Sequence, residues 1–279
     1  MKQSIETALR QRGQEIISQS GDMHILLPYL EAESTDTLKA ILYKLLNFES
    51  FRREFRQWAY SKEPVKNKSF LSYLNICCLF QKDFDKQFQN QEKRIQKYAH
   101  TFEWFISQML IKKFGAKATG FGIRLKDASP DDEFDCIGLI DDGLTFVECK
   151  TGNKDILSEI EKFSRRDAEL CADYSFFILD RDYIFSKSDD VPELKKSFST
   201  KLGLDSVYRI AINKLYFYGV IVKDRYFLIC PGFSNLEEKV RYMFRYQLAL
   251  RENLNFYEVR DFHVEKIDFI ENKDNELVV

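Results

Sequence analysis

Three kinds of hydrophobic pattern follow one another along the chain. Up to residue 114, apolar positions recur in steps of three and four, the spacing of helices with one buried face. Leu38, Ile41, Leu42, Leu45 and Leu46 share such a face, behind the helix-start signal Ser34-Thr35-Asp36. The whole of 1–82 reads as helical, with a loop around Pro64, Lys66 and Lys68 and an apolar, core-forming run at 75–80. Residues 83–114 contain no Gly or Pro and read as one long helix. Its seam is Phe84, Phe88, Gln91, Ile95, Tyr98, Phe102, Phe105 and Met109, to be filled by the N-terminal helices or by a second copy of the chain in a homodimer. Gly115 ends that helix.

The period then shortens to that of strands. Residues 119–125 read as a first strand, and the two apolar runs 134–140 and 144–150 flank Asp141-Asp142-Gly143, a hairpin signal. A helix follows over 155–171, with Ile156, Ile160, Phe163 and Ala168 towards the sheet and Lys162, Arg165 and Arg166 projecting away from it. The unbroken apolar run 174–179 suits a parallel strand buried on both faces. Beyond it lie a polar stretch (184–203), a second hairpin around Lys223-Asp224-Arg225, a helix from about 237 and an alternating run over 256–269. These patterns predict an α/β protein in three parts: a helical N-terminal region (1–92), a mixed-sheet core (93–183) and an α+β C-terminal extension (184–279) that either continues the central sheet or forms an appendage.

The chemistry worth attention sits in the first hairpin. Alternation puts Leu144, Phe146, Glu148 and Lys150 on one face of their strand and Thr145, Val147 and Cys149 on the other. A carboxylate and an ammonium thus sit side by side at the end of an apolar strand, with Asp135 in reach across the hairpin. Buried charge is costly unless it is paired or holds a metal. A cross-strand salt bridge between Glu148 and Lys150, with Asp135 at the sheet edge, is one solution. The other is a hard divalent cation, since Mg²⁺ takes one or two carboxylates together with water and phosphate oxygens.

Asp135 followed by Glu148-Cys149-Lys150 on the next strand resembles the PD-(D/E)XK nuclease superfamily. The wider pattern, Glu133-x-Asp135 with Val147-Glu148-Cys149-Lys150-Thr151-Gly152, is similar to the nuclease domains of CRISPR-associated nucleases activated by cyclic oligonucleotides. The Glu-x-Lys triplet alone says little, because it recurs at Glu193, Glu237 and Glu271 in helix or loop. The resemblance implies a restriction-endonuclease-like core of helix, three-stranded meander, helix and strand over roughly a third of the chain. It implies Mg²⁺ or Mn²⁺ held by Asp135, Glu148 and the Cys149 carbonyl, with Lys150 acting on the attacking water. An acidic residue from the first helix often joins such sites, which points to Glu103. The helix after the meander often touches substrate, which points to Lys162 and Arg166 as nucleic-acid contacts. Two departures stand out. Pro130-Asp131 precedes Asp135 by several residues, so a literal Pro-Asp step at the metal ligand is missing. The N-terminal region has no glycine-rich phosphate loop and does not resemble the sensor domain of those relatives.

Composition narrows the field. The net charge of −2, from 42 Lys and Arg against 44 Asp and Glu, excludes a bulk polyanion binder, so contacts to DNA or RNA must come from local basic patches. The cluster Arg52, Arg53 and Arg56 reads as a solvated helix face. Six cysteines form no Cys-x-x-Cys pair, which argues against structural zinc and for a reduced, cytoplasmic setting. No apolar run is long enough to predict a membrane segment. His24, His100 and His263 are isolated in sequence and suggest no histidine site. The reading is a metal-dependent endonuclease of DNA or RNA, with defence against mobile elements as the setting by analogy. The rivals are a non-cleaving nucleic-acid-binding or regulatory protein on the same fold, and a helical interaction protein.

Overall fold

The computed structural model describes residues 4–62, 68–77, 79, 81, 84–129, 133–151, 156–180, 204–222, 225–232, 234–251 and 263–267. The N-terminal helices are α1 (Ile5–Gln11), α2 (Thr35–Asn47), α3 (Glu49–Tyr60), α4 (Lys68–Ile76), the single turn α5 (Phe84–Gln87) and α6 (Gln91–Phe114). Ser34 caps α2, its hydroxyl accepting the Thr37 amide, and the apolar face of α2 buries Leu38, Leu42 and Leu46. Three expectations need correction here. Ile16–Ser18 is a short strand, β1, not helix. The run 75–80 is only partly core: Leu79 is buried, but Ile76 is 80% exposed. The helix expected over 83–114 is broken, because Asn90 caps α6 by accepting the Lys93 amide and so starts a new helix.

α6 is the central element. Gly115, at φ 69°, closes it in the left-handed conformation. Tyr98, Phe102, Phe105 and Met109 are buried along its seam. Phe55 of α3 packs on Tyr98 and Tyr43 of α2 on Phe105, with ring centroids 4.8 and 5.4 Å apart. These four seam positions are therefore filled within the chain, while Gln91 and Ile95 stay half-buried.

After α6 come β2 (Ala118–Leu125), β3 (Phe134–Ile140) and β4 (Gly143–Lys150), an antiparallel meander. Asp141 and Asp142 both have positive φ, 47° and 62°, as a tight two-residue hairpin turn requires. α7 (Ile156–Leu170) then returns the chain to β5 (Tyr174–Leu179), parallel to β4. The remaining elements are β6 (Leu204–Ile212), β7 (Leu215–Val222), β8 (Arg225–Pro231), α8 (Leu236–Arg251) and β9 (His263–Ile267). They extend the same sheet, because β8 pairs parallel to β5. The order across the nine strands is β1-β2-β3-β4-β5-β8-β7-β6-β9. The polar stretch 184–203 and most of 256–269 lie outside the described residues.

Alternation along the strands feeds two hydrophobic clusters, one on each sheet face. Cys136, Val147, Cys149, Phe176 and Ile178 pack with α2, α3, α6 and α8. Ile137, Leu144, Phe146 and Phe177 pack with α1 and with Ile160 and Phe163 of α7. The protein is thus a mixed α/β fold with helices on both faces of one mixed sheet. Among the described residues, no helix is long and apolar enough to cross a membrane.

Candidate active site

β4 carries two side chains of opposite charge to the α7 face. Leu144 and Phe146 face α7, so Glu148 and Lys150 follow them at steps of two. The register Cys136↔Val147 and Ile137↔Phe146, continued by one step, sets Asp135 opposite Glu148. Asp135 and Glu148 are 7% and 0% exposed. The Lys150 ammonium lies 2.5 Å from Glu148 Oε1, 3.2 Å from Glu159 Oε2 and 3.6 Å from Asp135 Oδ2. Arg166 of α7 donates to the same Glu148 Oε1 at 2.7 Å. Asp135 Oδ2 accepts the Cys149 amide at 2.8 Å, across the mouth of the hairpin. The Lys150 carbonyl accepts from Asp180 on the β5 side, at 2.8 Å. Strand alternation then turns the Cys149 carbonyl to the β3 side, where Asp135 lies.

The electrostatics are unbalanced towards negative charge. Burial, reinforced by Asp135, pushes Glu148 up to about 7 against the pull of Lys150 and Arg166. Glu103 is likewise pushed up to about 7, first by burial, with Asp135 adding to it and His100 opposing it. Burial works against the Lys150 charge, but Asp135, Glu148 and Glu159 outweigh it and hold the ammonium above the ordinary lysine range. Glu148 Oε2 is buried and has no hydrogen-bond partner among the described residues. An orphaned buried carboxylate oxygen beside a second carboxylate and a strand carbonyl is an all-oxygen donor set that fits a hard divalent cation.

Asp135, Glu148 and Lys150 therefore come together, and the Cys149 backbone joins them. The Cys149 thiol points to the other face, where burial raises it well above its usual range. Glu103 is buried on α6 and accepts from or donates to His100 Nδ1 at 3.3 Å, according to protonation. Arg166 does not project to solvent as the pattern of α7 suggests: it is 7% exposed and tied to Glu148. Ala168, expected towards the sheet, is exposed. Lys162 remains largely exposed, 3.5 Å from Glu159. Glu159 escaped the sequence reading. It lies two helical turns before Arg166, and a charged pair at that spacing is indistinguishable from a solvated stripe until the helix is docked. Arg52, expected on a solvated face, is buried and donates to the Leu46 carbonyl at the end of α2. Beyond Lys150, Thr151 Oγ1 accepts from the Tyr60 hydroxyl at 3.2 Å, and Arg56 lies 3.4 Å from the buried Asp180, so α3 borders this end of the sheet.

No family model and no curated protein matches the sequence. Among solved structures, protein VC1899 from Vibrio cholerae overlaps at TM-score 0.38 and 14% identity, over 69% of this chain and 55% of that one. Can2 from Sulfobacillus thermosulfidooxidans, in complex with cyclic tetra-adenylate, overlaps at TM-score 0.37 and 14% identity, over 70% and 56%. The chain thus spans little more than half the length of either. Similarity of that size leaves any functional reading to rest on the chain's own residues.

Proposed function

We propose that this chain is a metal-dependent endonuclease that hydrolyses phosphodiester bonds in DNA or RNA, with Mg²⁺ or Mn²⁺ as cofactor and a restriction-endonuclease-like PD-(D/E)XK core. The observation that carries the reading is Glu148. It is fully buried, with one oxygen shared by Lys150 and Arg166 and the other without a hydrogen-bond partner among the described residues. The element order α6, β2–β3–β4 meander, α7, β5 supports the core assignment.

Asp135, Glu148 and the Cys149 carbonyl would hold the cation. When bound, it supplies Lewis acidity to a phosphate oxygen and lowers the pKa of water. Arg166 fixes the Glu148 carboxylate through Oε1, which would leave Oε2 for the cation. Lys150 is held protonated by three carboxylates, so it acts as a fixed positive charge that orients water and offsets charge building on the phosphate. Glu159 positions that ammonium. Lys162, exposed one turn after Glu159 on α7, would meet the nucleic-acid backbone.

A non-cleaving nucleic-acid binder is the second reading, favoured by the ion pairs that Lys150 already makes within the chain. The two separate on single- and double-stranded DNA and RNA incubated with Mg²⁺, Mn²⁺ or EDTA. The nuclease cuts with either cation and not with EDTA, and Glu148→Gln still binds substrate without cutting. A wild-type protein that binds but never cuts would be the binder.

A further inference from the structure

Where α6 passes the open end of β3, three more ligand-bearing side chains converge. His100 and Glu103 are one turn apart on α6, and Glu133 immediately precedes β3. One donor atom from each lies within 4.8 Å of the others, and His100 Nδ1 is 3.3 Å from Glu103 Oε2. Ligands on one octahedral cation with bonds of about 2.1 Å stand about 3 Å apart as neighbours and about 4 Å apart when opposite. The trio needs only small side-chain adjustments to meet that geometry. Its exposure is graded as a ligand site requires. The Glu103 side chain is 8% exposed, while those of His100 and Glu133 are 25% and 27% exposed, which leaves open positions for water. The backbone also makes room here. Gly122 has φ 54°, and a Cβ at that position would overlap Ser20 and lie 3.3 Å from Glu133 Oε1. The other Glu133 oxygen, Oε2, accepts from Arg124 Nε at 3.2 Å.

We infer that His100, Glu103 and Glu133 form a second cation site, distinct from the one at Asp135 and Glu148, that takes a divalent first-row transition ion such as Mn²⁺ in preference to Mg²⁺. The preference follows from the donors. An imidazole nitrogen suits transition ions, whereas Mg²⁺ favours oxygen alone. Glu103 sits close enough to feel the charge of Asp135, so the two sites are neighbours, yet they share no ligand among these residues. The site stands on its own three side chains and does not depend on the nuclease reading.

The donor difference gives a direct readout. Mn²⁺ bound at Asp135, Glu148 and a carbonyl has only oxygen ligands, whereas Mn²⁺ bound by His100 is coupled to a nitrogen nucleus. Pulsed electron paramagnetic resonance of the full chain with Mn²⁺ should therefore show nitrogen modulation. That modulation should persist in Glu148→Gln and under excess Mg²⁺, and it should vanish in His100→Ala. Glu133→Gln, which lies outside both α6 and β3, is the variant to use if His100→Ala does not fold, and it should weaken the nitrogen-coupled site at least ten-fold. Wild-type protein that binds Mn²⁺ without nitrogen modulation would overturn the inference. So would modulation that survives His100→Ala, disappears in Glu148→Gln, or is displaced by Mg²⁺. The nuclease reading fails on a different result, cleavage by Glu148→Gln at the wild-type rate.

Discussion

Lys150 is the residue on which binding and catalysis part. Asp135 and Glu148 would ligate the cation, so altering either removes metal and chemistry together. A protonated lysine cannot be a ligand, and three carboxylates keep Lys150 protonated. Lys150→Ala should slow cleavage about 10²–10³-fold, the usual loss when one fixed charge or donor is removed from a phosphate's surroundings. Calorimetry on the same variant should find Mn²⁺ binding intact or tighter, since both carboxylates remain. Loss of Mn²⁺ binding together with the fold would instead mark Lys150 as a structural counter-ion. The raised carboxyls supply a second prediction at this scale. Glu103 and Glu148 both move from 4.5 to about 7, so the folded chain keeps protons that the unfolded chain has released. The stability they contribute is complete below the unfolded value and is lost as pH rises through the folded one. A cation can offset these buried charges only after they ionise. Mn²⁺ should therefore raise Tm more at about pH 8 than at about pH 5.5, as scanning calorimetry would show. Equal shifts at the two pH values would contradict this. The hairpin trio was legible because strand period and a short turn fix which side chains meet. Arg166, Glu159 and His100 were not, because the direction of a helical side chain depends on how the helix docks.

At the scale of elements, the helical and strand runs followed from periodicity, while their ends followed from capping. Asn90 reads as one polar position in a long helix, yet its side chain caps the start of α6, three residues after α5 has ended. Arg94, just inside α6, shows why the break holds. Its side chain is buried, and its guanidinium donates to the carbonyls of Phe88 and Gln89 before α6, and of Trp58 and Ser61 at the end of α3. A sequence pattern cannot reveal this, because the partners are backbone groups brought in by tertiary packing. Removing the guanidinium strands several carbonyls at once. Arg94→Ala should cost about 2–4 kcal/mol of unfolding free energy. Urea denaturation checks it, and a change under about 0.5 kcal/mol, the size expected of a surface substitution, would contradict the role. The same contacts hold the end of α3, whose Tyr60 meets Thr151 beside the candidate site.

At the scale of the molecule, one sheet carries the whole described chain. The sequence leaves open whether the C-terminal stretch extends the central sheet or forms an appendage, because the pattern of apolar runs cannot say which strands pair. The pairing of β8 with β5 places the later strands beside the candidate core, against the edge opposite β2 and β3. The carboxylates gather where β3 begins and β4 ends, between α6 on one face and α7 on the other, so both helices lend charged groups to one place. The part of this convergence formed by Asp135, Glu148 and Lys150 is what the nuclease account rests on, and metal dependence tests it most directly. The measurement is the cleavage rate of wild-type protein on its best DNA or RNA substrate with Mn²⁺, then with EDTA, then with Mn²⁺ restored, with Glu148→Gln in parallel. The account predicts cutting that stops with EDTA and returns with Mn²⁺, and no cutting by Glu148→Gln in any condition. Cutting that continues in EDTA, or a Glu148→Gln rate equal to wild type, would contradict it.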